Sequence, residues 1–367
     1  MSTMVKNKFI LCTAVWGLFF LSTRAQQKEK FRVIAYYAGS AEFISQYEIE
    51  KVSHLIYCFG QLKGNELHFG HRNDTIALQS MAKLKLRNPD LKIMFSLGGW
   101  GGCKTCSEVF SLASNRRAFA KSVKVLADFF KVDGIDLDWE YPAIQGYPGF
   151  RFDSTDKDHF TELLHEMRTI LGPKFEISFA AGGFSEFLQH SIHWKQVIKS
   201  VDFINLMSYD LVHGYSKWSG HHTPLYSTPY QKESTNHAVQ WLLSQGVPSH
   251  QLVIGAALYG RFFRIDEGHP VNLYQPCRFS HSFSSKHASD SLSESNGFIV
   301  HWDSTAHAPY AINNGRRMVA SYDDERSITA KVKYAKEHQL GGIMFWQLWD
   351  DSKTNGLLNI IHQQLKK

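Results

Sequence analysis

Asp133-Gly-Ile-Asp136-Leu-Asp138-Trp-Glu140-Tyr141-Pro142 sets four acids among apolar residues, in a segment that otherwise reads as a buried strand. Strand side chains alternate between faces, so Asp136, Asp138 and Glu140 share one face while Ile135, Leu137 and Trp139 take the other. Three carboxylates on one buried face repel one another and lose hydration unless they are protonated, hydrogen-bonded or used in chemistry. Packing alone does not ask for them. Glu140, last in the series, is the best general acid, because burial and the neighbouring Asp138 should raise its pKa. Asp138 lies ~6.6–6.8 Å behind it along the strand, which alone does not separate retaining from inverting chemistry. Asp136 and Asp138 are expected to titrate as a coupled pair. Asp133 opens the strand and reads as structural.

Working outward, strand-like runs at 32–37, 54–59, 92–97, 134–139, 176–181, 203–208, 252–258 and 341–345 alternate with helix-like ones. Phe119, Val123, Leu126 and Phe130 recur at helical spacing, as do Phe160, Leu163, Leu164, Met167 and Leu171. Alternating β and α elements with near-continuous apolar strands predict a parallel sheet. Eight such units predict an α/β fold of the (β/α)8 TIM-barrel type, for which 367 residues suffice. The segment 262–316 breaks the rhythm, being rich in Ser, His, Asn and Gly and without helical periodicity. It is too long for a structureless loop, so a small inserted subdomain between strands seven and eight is expected.

Residues 1–25 read as a secretory signal: Lys6 and Lys8, then the apolar run Phe9 to Leu21, then Thr23-Arg24-Ala25 as a cleavage site. The apolar run is too short to span a bilayer comfortably, and no later segment could do so. The expectation is a secreted, extracellular protein whose single domain covers 26–367, with no membrane association after cleavage. The formal charge of +6 falls to +3 with Lys6, Lys8 and Arg24 gone, and no basic cluster suggests nucleic acid. Cys12 leaves with the leader. Cys103-Lys-Thr-Cys106 has redox or zinc spacing, yet no second pair accompanies it, and in an exported chain a short local disulfide is the better reading. Nineteen histidines are scattered without an HExxH motif, so no metal is expected.

In such barrels the active site forms where strands end and βα loops begin. Tyr36, Phe59, Ser96, Trp100, Met207, Tyr209, Asp210, Arg261 and Trp346 gather at those ends, with Tyr141 beside the acids. Rings together with carboxylates suit a sugar polymer, whose apolar faces stack on aromatic groups. The bland alternatives stay open: Met207 taken alone is more often core packing, and Tyr36 and Phe59 could equally fill the barrel.

The stretch from Asp133 to Pro142 resembles the DxxDxDxE signature of glycoside hydrolase family 18, the chitinases. Ser96-Leu-Gly-Gly-Trp100 resembles the family's third-strand SxGG motif, and Met207-Ser-Tyr209-Asp210 its sixth-strand MxYD motif. The resemblance runs in order from about Arg32 to the final helix. It implies that the substrate's own N-acetyl group is the nucleophile. Glu140 would protonate the glycosidic oxygen and later activate water. Asp138 would orient the acetamido group and Asp136 would hold Asp138. Tyr209 would bond the acetamido carbonyl with Asp210 nearby, Trp346 would floor the distorted sugar, Trp100 would contact sugar further along, and Arg261 would bind substrate. Tyr36 and Ser96 would stand behind the acids.

The insertion resembles the α+β insertion of one chitinase subgroup, which deepens the cleft, and exo-type or processive action is expected from it. The resemblance further implies chitin or chito-oligosaccharides as substrate, no cofactor, and a monomer; no dedicated chitin-binding module is visible. Three rival readings remain. Lectin-like relatives typically lack the acid, which is intact here. Endo-β-N-acetylglucosaminidases acting on N-glycans generally lack the insertion. A divalent-cation site on the three acids lacks a further acid cluster or phosphate loop.

Overall fold

Strand β1 (Arg32–Tyr37) pairs in parallel with β2 (His54–Lys63), which carries the short antiparallel β3 (Glu66–His68). Around the ring follow β4 (Lys92–Gly98), β5 (Gly134–Asp138), β6 (Glu176–Gly182), β7 (Phe203–Met207) and β8 (Leu252–Ala257). An inserted run then comprises β9 (Tyr259–Ile265), β10 (Cys277–Ser284), β11 (Ile299–Asp303), β12 (Ala308–Asn313) and β13 (Met318–Ser321). Last comes β14 (Gly342–Trp346), which pairs in parallel with both β8 and β1 and closes the ring. This computed structural model describes residues 30–367, and the leader expected over 1–25 lies outside them.

The closed eight-stranded parallel barrel follows from side-chain alternation. Val33, Ala35 and Tyr37 of β1 face outward into the layer shared with the helices. Ile34 and Tyr36 face the barrel axis, where they meet Ile56, Met94, Phe203, Val253 and Met344. The helix Ala113–Phe130 turns Phe119, Ala120, Val123, Ala127 and Phe130 onto the barrel's outer face, and ends at Lys131 in the left-handed conformation. The helix Asp156–Leu171 does the same with Phe160, Leu163, Leu164 and Met167. Each fully buried large apolar side chain of this kind contributes roughly 1.5–3 kcal/mol. Among the described residues no helix is long and apolar enough to cross a membrane.

The inserted strands make an antiparallel sheet in the order β10-β9-β13-β12-β11. The segment 262–316 falls between the outer bounds of the sheet, Tyr259 and Ser321, and carries one short α-helix, Ala288–Ser291, between β10 and β11. The chain returns to the barrel through a buried polar knot. Lys331 Nζ, fully buried, donates to Asp323 Oδ2 and to Thr223 Oγ1, each at 2.6 Å. Asp323 also accepts the Ala257 N–H at 3.0 Å, so the exit of the sheet is tied to β8.

Candidate active site

At the centre of the barrel one layer is polar. Register pairs Ser96 of β4 with Asp136 of β5, and Asp136 with Ser178 of β6. Asp136 Oδ2 accepts hydrogen bonds from Tyr36 (3.0 Å) and Ser96 (2.9 Å). Its Oδ1 accepts from Ser178 (2.7 Å) and from Asn205 (3.1 Å), which also donates to the Tyr36 hydroxyl at 2.9 Å. Burial raises the Asp136 pKa against the pull of these four donors. The carboxylate is held rigidly, and four hydrogen-bond donors converge where a cation would need free oxygens. Among the described residues no group of three or more His, Cys, Asp or Glu is placed to hold a metal ion.

One pleat further up, Asp138 is 4% exposed and its Oδ1 accepts no hydrogen bond from the protein. Burial pushes its pKa well above the usual carboxylate range, and the charges of Glu140 and Asp136 push it further. Glu140 follows β5 at the mouth of the barrel. Burial lifts its carboxyl to about 7; a hydrogen bond from Tyr141 opposes the rise and the charge of Asp210 adds to it. A carboxyl that titrates near neutrality can both give and take a proton. The outward-facing Trp139 packs against Phe110 (5.7 Å) and Phe160 (6.1 Å), so it anchors the strand and leaves the acids inside.

Across the mouth, Asp210 follows β7 with φ +55, and Arg261 of β9 grips it with two bonds, Nε to Oδ1 at 2.5 Å and Nη2 to Oδ2 at 2.6 Å. His222 Nδ1 stands 3.5 Å from the same carboxylate. Against the upward push of burial, these cationic and polar neighbours hold the Asp210 carboxyl well below its usual range. Tyr209 lies edge-on to Tyr259 at 6.2 Å, and its hydroxyl reaches Met344 Sδ at 3.7 Å. Burial, then the Tyr259 and acid charges, keep that hydroxyl protonated, so it can serve as a donor. Met207 is buried in the axial cluster with Tyr36 and Tyr209.

Rings frame the acids. Trp346 of β14 lies parallel to Phe59 of β2 at 5.5 Å and tilted to Tyr36 at 6.1 Å. Trp100, 47% exposed, stands over Tyr141 (6.4 Å), Tyr147 (5.5 Å) and Tyr215 (6.2 Å) at the outer end of the cleft. The peptide bonds Cys58–Phe59, Glu140–Tyr141 and Trp346–Gln347 are cis. The turn after β4 needs glycine: Gly98 has φ +110, and a Cβ there would lie 2.2 Å from the carbonyl oxygen of Asp138. Just beyond it Cys103 and Cys106 form a disulfide. Cys58 is a free, buried thiol in the axial cluster, and Cys277 a free, buried one in the inserted sheet.

The sequence from 32 to 351 matches the glycosyl hydrolases family 18. The chain belongs to that family. It is 27% identical to chitinase A1 of Niallia circulans over 402 residues, covering 89% of this chain and 57% of the relative. It is also 27% identical to an endochitinase of Manduca sexta, covering 96% of this chain and 70% of that one. A family 18 N-acetylglucosaminidase from Paenibacillus barengoltzii superposes with a TM-score of 0.82 at 31% identity, over 91% of this chain and all of its own.

Of the thirteen residues singled out from the sequence as catalytic or substrate-binding, Tyr36, Ser96 and Asp136 lie in the polar layer at the barrel's centre, and the others lie beyond it toward the mouth. Sequence reasoning missed Ser178 and Asn205, which complete the cradle of Asp136, and His222, which faces Asp210. A small polar residue interrupting an apolar strand is the signal that could have found the first two, since a polar group buried in a sheet needs a partner.

Proposed function

We propose that this chain hydrolyses β-1,4 bonds between N-acetylglucosamine units in chitin or chito-oligosaccharides, with retention and with the substrate's acetamido group as nucleophile. The observation that carries this is the division of labour along β5. Asp136 is saturated with donors, Asp138 offers an unbonded buried oxygen, and Glu140 titrates near neutrality. The names of the chitinase and N-acetylglucosaminidase relatives support the same substrate class.

Glu140 gives its proton to the glycosidic oxygen as the C1–O bond breaks. The acetamido carbonyl oxygen bonds to C1 from the opposite face and forms an oxazolinium ion. Asp138 Oδ1 accepts the acetamido N–H and so holds the carbonyl oxygen toward C1. Tyr209 donates to the acetamido carbonyl, and Trp346 carries the sugar face. Glu140 then takes a proton from water, which attacks C1 on the face the leaving group vacated; the bond from C1 to the acetamido oxygen breaks, the acetamido group is restored, and the original configuration returns.

Glu140→Gln keeps the shape and removes the proton. It is expected to lower kcat on a chito-hexamer by ~10²–10⁴-fold with little change in KM. Wild-type binding without any hydrolysis would favour a purely sugar-binding protein. We also infer, from Lys6, Lys8, the apolar run and Thr23-Arg24-Ala25, that the protein is exported with cleavage after Ala25. The N-terminal sequence of the mature protein is expected to start at Gln26, and retention of residues 1–25 in the released protein would contradict this.

A further inference from the structure

The inserted sheet has two faces, and only one of them serves the site that holds Asp210. Along β9, Arg261 shares a face with Phe263 and Ile265 and lies over the Phe279 ring at 5.5 Å, while Phe262 takes the other face. On that second face Phe262, Phe283, Phe298 and Met318, all nearly buried, floor a cavity of about 490 Å³. None of the residues placed above in the active site lines it.

The walls of this cavity are built by specific devices. Phe279 of β10 pairs with Phe263, yet His281 pairs with Phe262, so β10 carries one extra residue between them. That bulge reverses the alternation beyond it and turns His281 and Phe283 onto the cavity face, from which an unbroken ladder would have turned them away. The His281 ring then lies 4.6 Å from Phe262, with Ser280 Oγ 2.9 Å from its Nδ1. The turn between β12 and β13 supplies Arg316. Asn313, 3% exposed, ties this turn to a third wall: its Oδ1 accepts the Arg316 N–H and its Nδ2 donates to the Asn296 carbonyl, each at 2.8 Å. Arg317 is fully employed, donating to the carbonyls of Asp266 and His269 and pairing with Glu267 at 3.6 Å. The Arg316 side chain, by contrast, has no hydrogen bond or ion pair among the described residues.

The lining thus offers a permanent cation in Arg316, imidazoles in His281 and His287, the hydroxyls of Ser282 and Ser291, and an apolar floor, and it contains no carboxylate. A guanidinium fork without a partner matches an oxyanion through two parallel bonds. An apolar floor with a few convergent polar groups is the general build of a small-molecule site, and the volume lies within the ~300–1,000 Å³ such sites occupy. We propose that this cavity is a second carbohydrate site, selective for an acidic sugar whose anionic group meets Arg316 while an apolar ring face rests on the floor beside His281. The proposal goes beyond the hydrolysis proposed above and does not depend on it.

The test is isothermal titration of the protein carrying Glu140→Gln with glucuronate and with N-acetylglucosamine 6-sulfate, each with and without saturating chito-hexamer. At least one of the two acidic sugars is expected to bind with the same Kd whether or not the hexamer is present, and the one that binds tells a carboxylate from a sulfate ester. With the hexamer present, neutral N-acetylglucosamine and inorganic sulfate are expected to bind about tenfold or more weakly than that acidic sugar, as loss of a charged hydrogen-bond partner or of the ring contact predicts. Arg316→Ala, which removes an exposed side chain, is expected to weaken the acidic sugar about tenfold or more and to leave the unfolding temperature unchanged. Displacement of the acidic sugar by the hexamer would overturn the proposal by placing the probe in the cleft. Equal binding of the neutral sugar or of sulfate alone would overturn it as well. So would an unchanged affinity in Arg316→Ala, or failure of both acidic sugars to bind when Arg316 is intact.

Discussion

Glu140 and Asp210 come from different strands yet act on one proton. Burial supplies most of the rise that brings Glu140 to about 7, and the charge of Asp210 adds to it. Asp210→Asn removes that negative neighbour and leaves Arg261 without its carboxylate. Both changes favour ionised Glu140, so its pKa should fall. A general acid must be protonated, and activity is lost as pH rises through its pKa. The basic limb of kcat/KM, centred near 7 in the wild type, is therefore expected to move to lower pH in Asp210→Asn, and a pH–rate profile would show it; an unmoved limb would contradict the coupling. The same raised pKa has a stability sign. Glu140 binds its proton more tightly in the folded chain than in the unfolded one, so its contribution weakens between its ordinary value of 4.5 and about 7 as pH rises. At this scale the acids were legible because period 2 assigns their face from sequence alone. The cradle of Asp136 was not, because Ser178 and Asn205 arrive from 42 and 69 residues away and a lone Ser or Asn carries no periodicity.

Elements position these residues through their ends. Each barrel strand in the sequence shows its apolar alternation, and the observed bounds differ from the expected ones by a residue or so at most ends, because loops rather than side-chain pattern stop a strand. β2 is the larger exception: it runs on to Lys63 because β3 offers a hairpin partner beyond the barrel rim. The turn after β4 is a further feature that alternation does not reveal, since what matters there is backbone clearance against Asp138. Gly98→Ala should cost about 1–3 kcal/mol from overcrowding alone, with positive-φ strain in addition, and should lower kcat by displacing the Asp138 backbone. Gly172, with φ +81 and open space around it, is the matched control: Gly172→Ala carries the strain without the clash. Urea denaturation with steady-state kinetics separates the two, and an unimpaired kcat in folded Gly98→Ala would contradict the account.

For the molecule as a whole, the eightfold alternation made the barrel legible, because buried parallel strands read as apolar runs and the helices between them keep their own period. The inserted sheet was harder to bound. β8 and β9 are separated by Leu258 alone, so the apolar run from Leu252 to Tyr259 crosses from one sheet into the other without a break. Nor does sequence reveal how that sheet is locked down, since Lys331, Asp323 and Thr223 meet only in the fold. The lock matters for chemistry because Arg261, which grips Asp210, is carried by the inserted sheet, whereas Glu140 and Asp138 are carried by the barrel. The central claim is that the substrate's acetamido oxygen, helped by Asp138, attacks the carbon from which Glu140 expels the leaving group. It is tested most directly by proton NMR of the newly formed reducing end during the first minutes of chito-oligosaccharide hydrolysis. The account predicts the β anomer first, with the α anomer appearing only as mutarotation proceeds; α anomer as the initial product would contradict it.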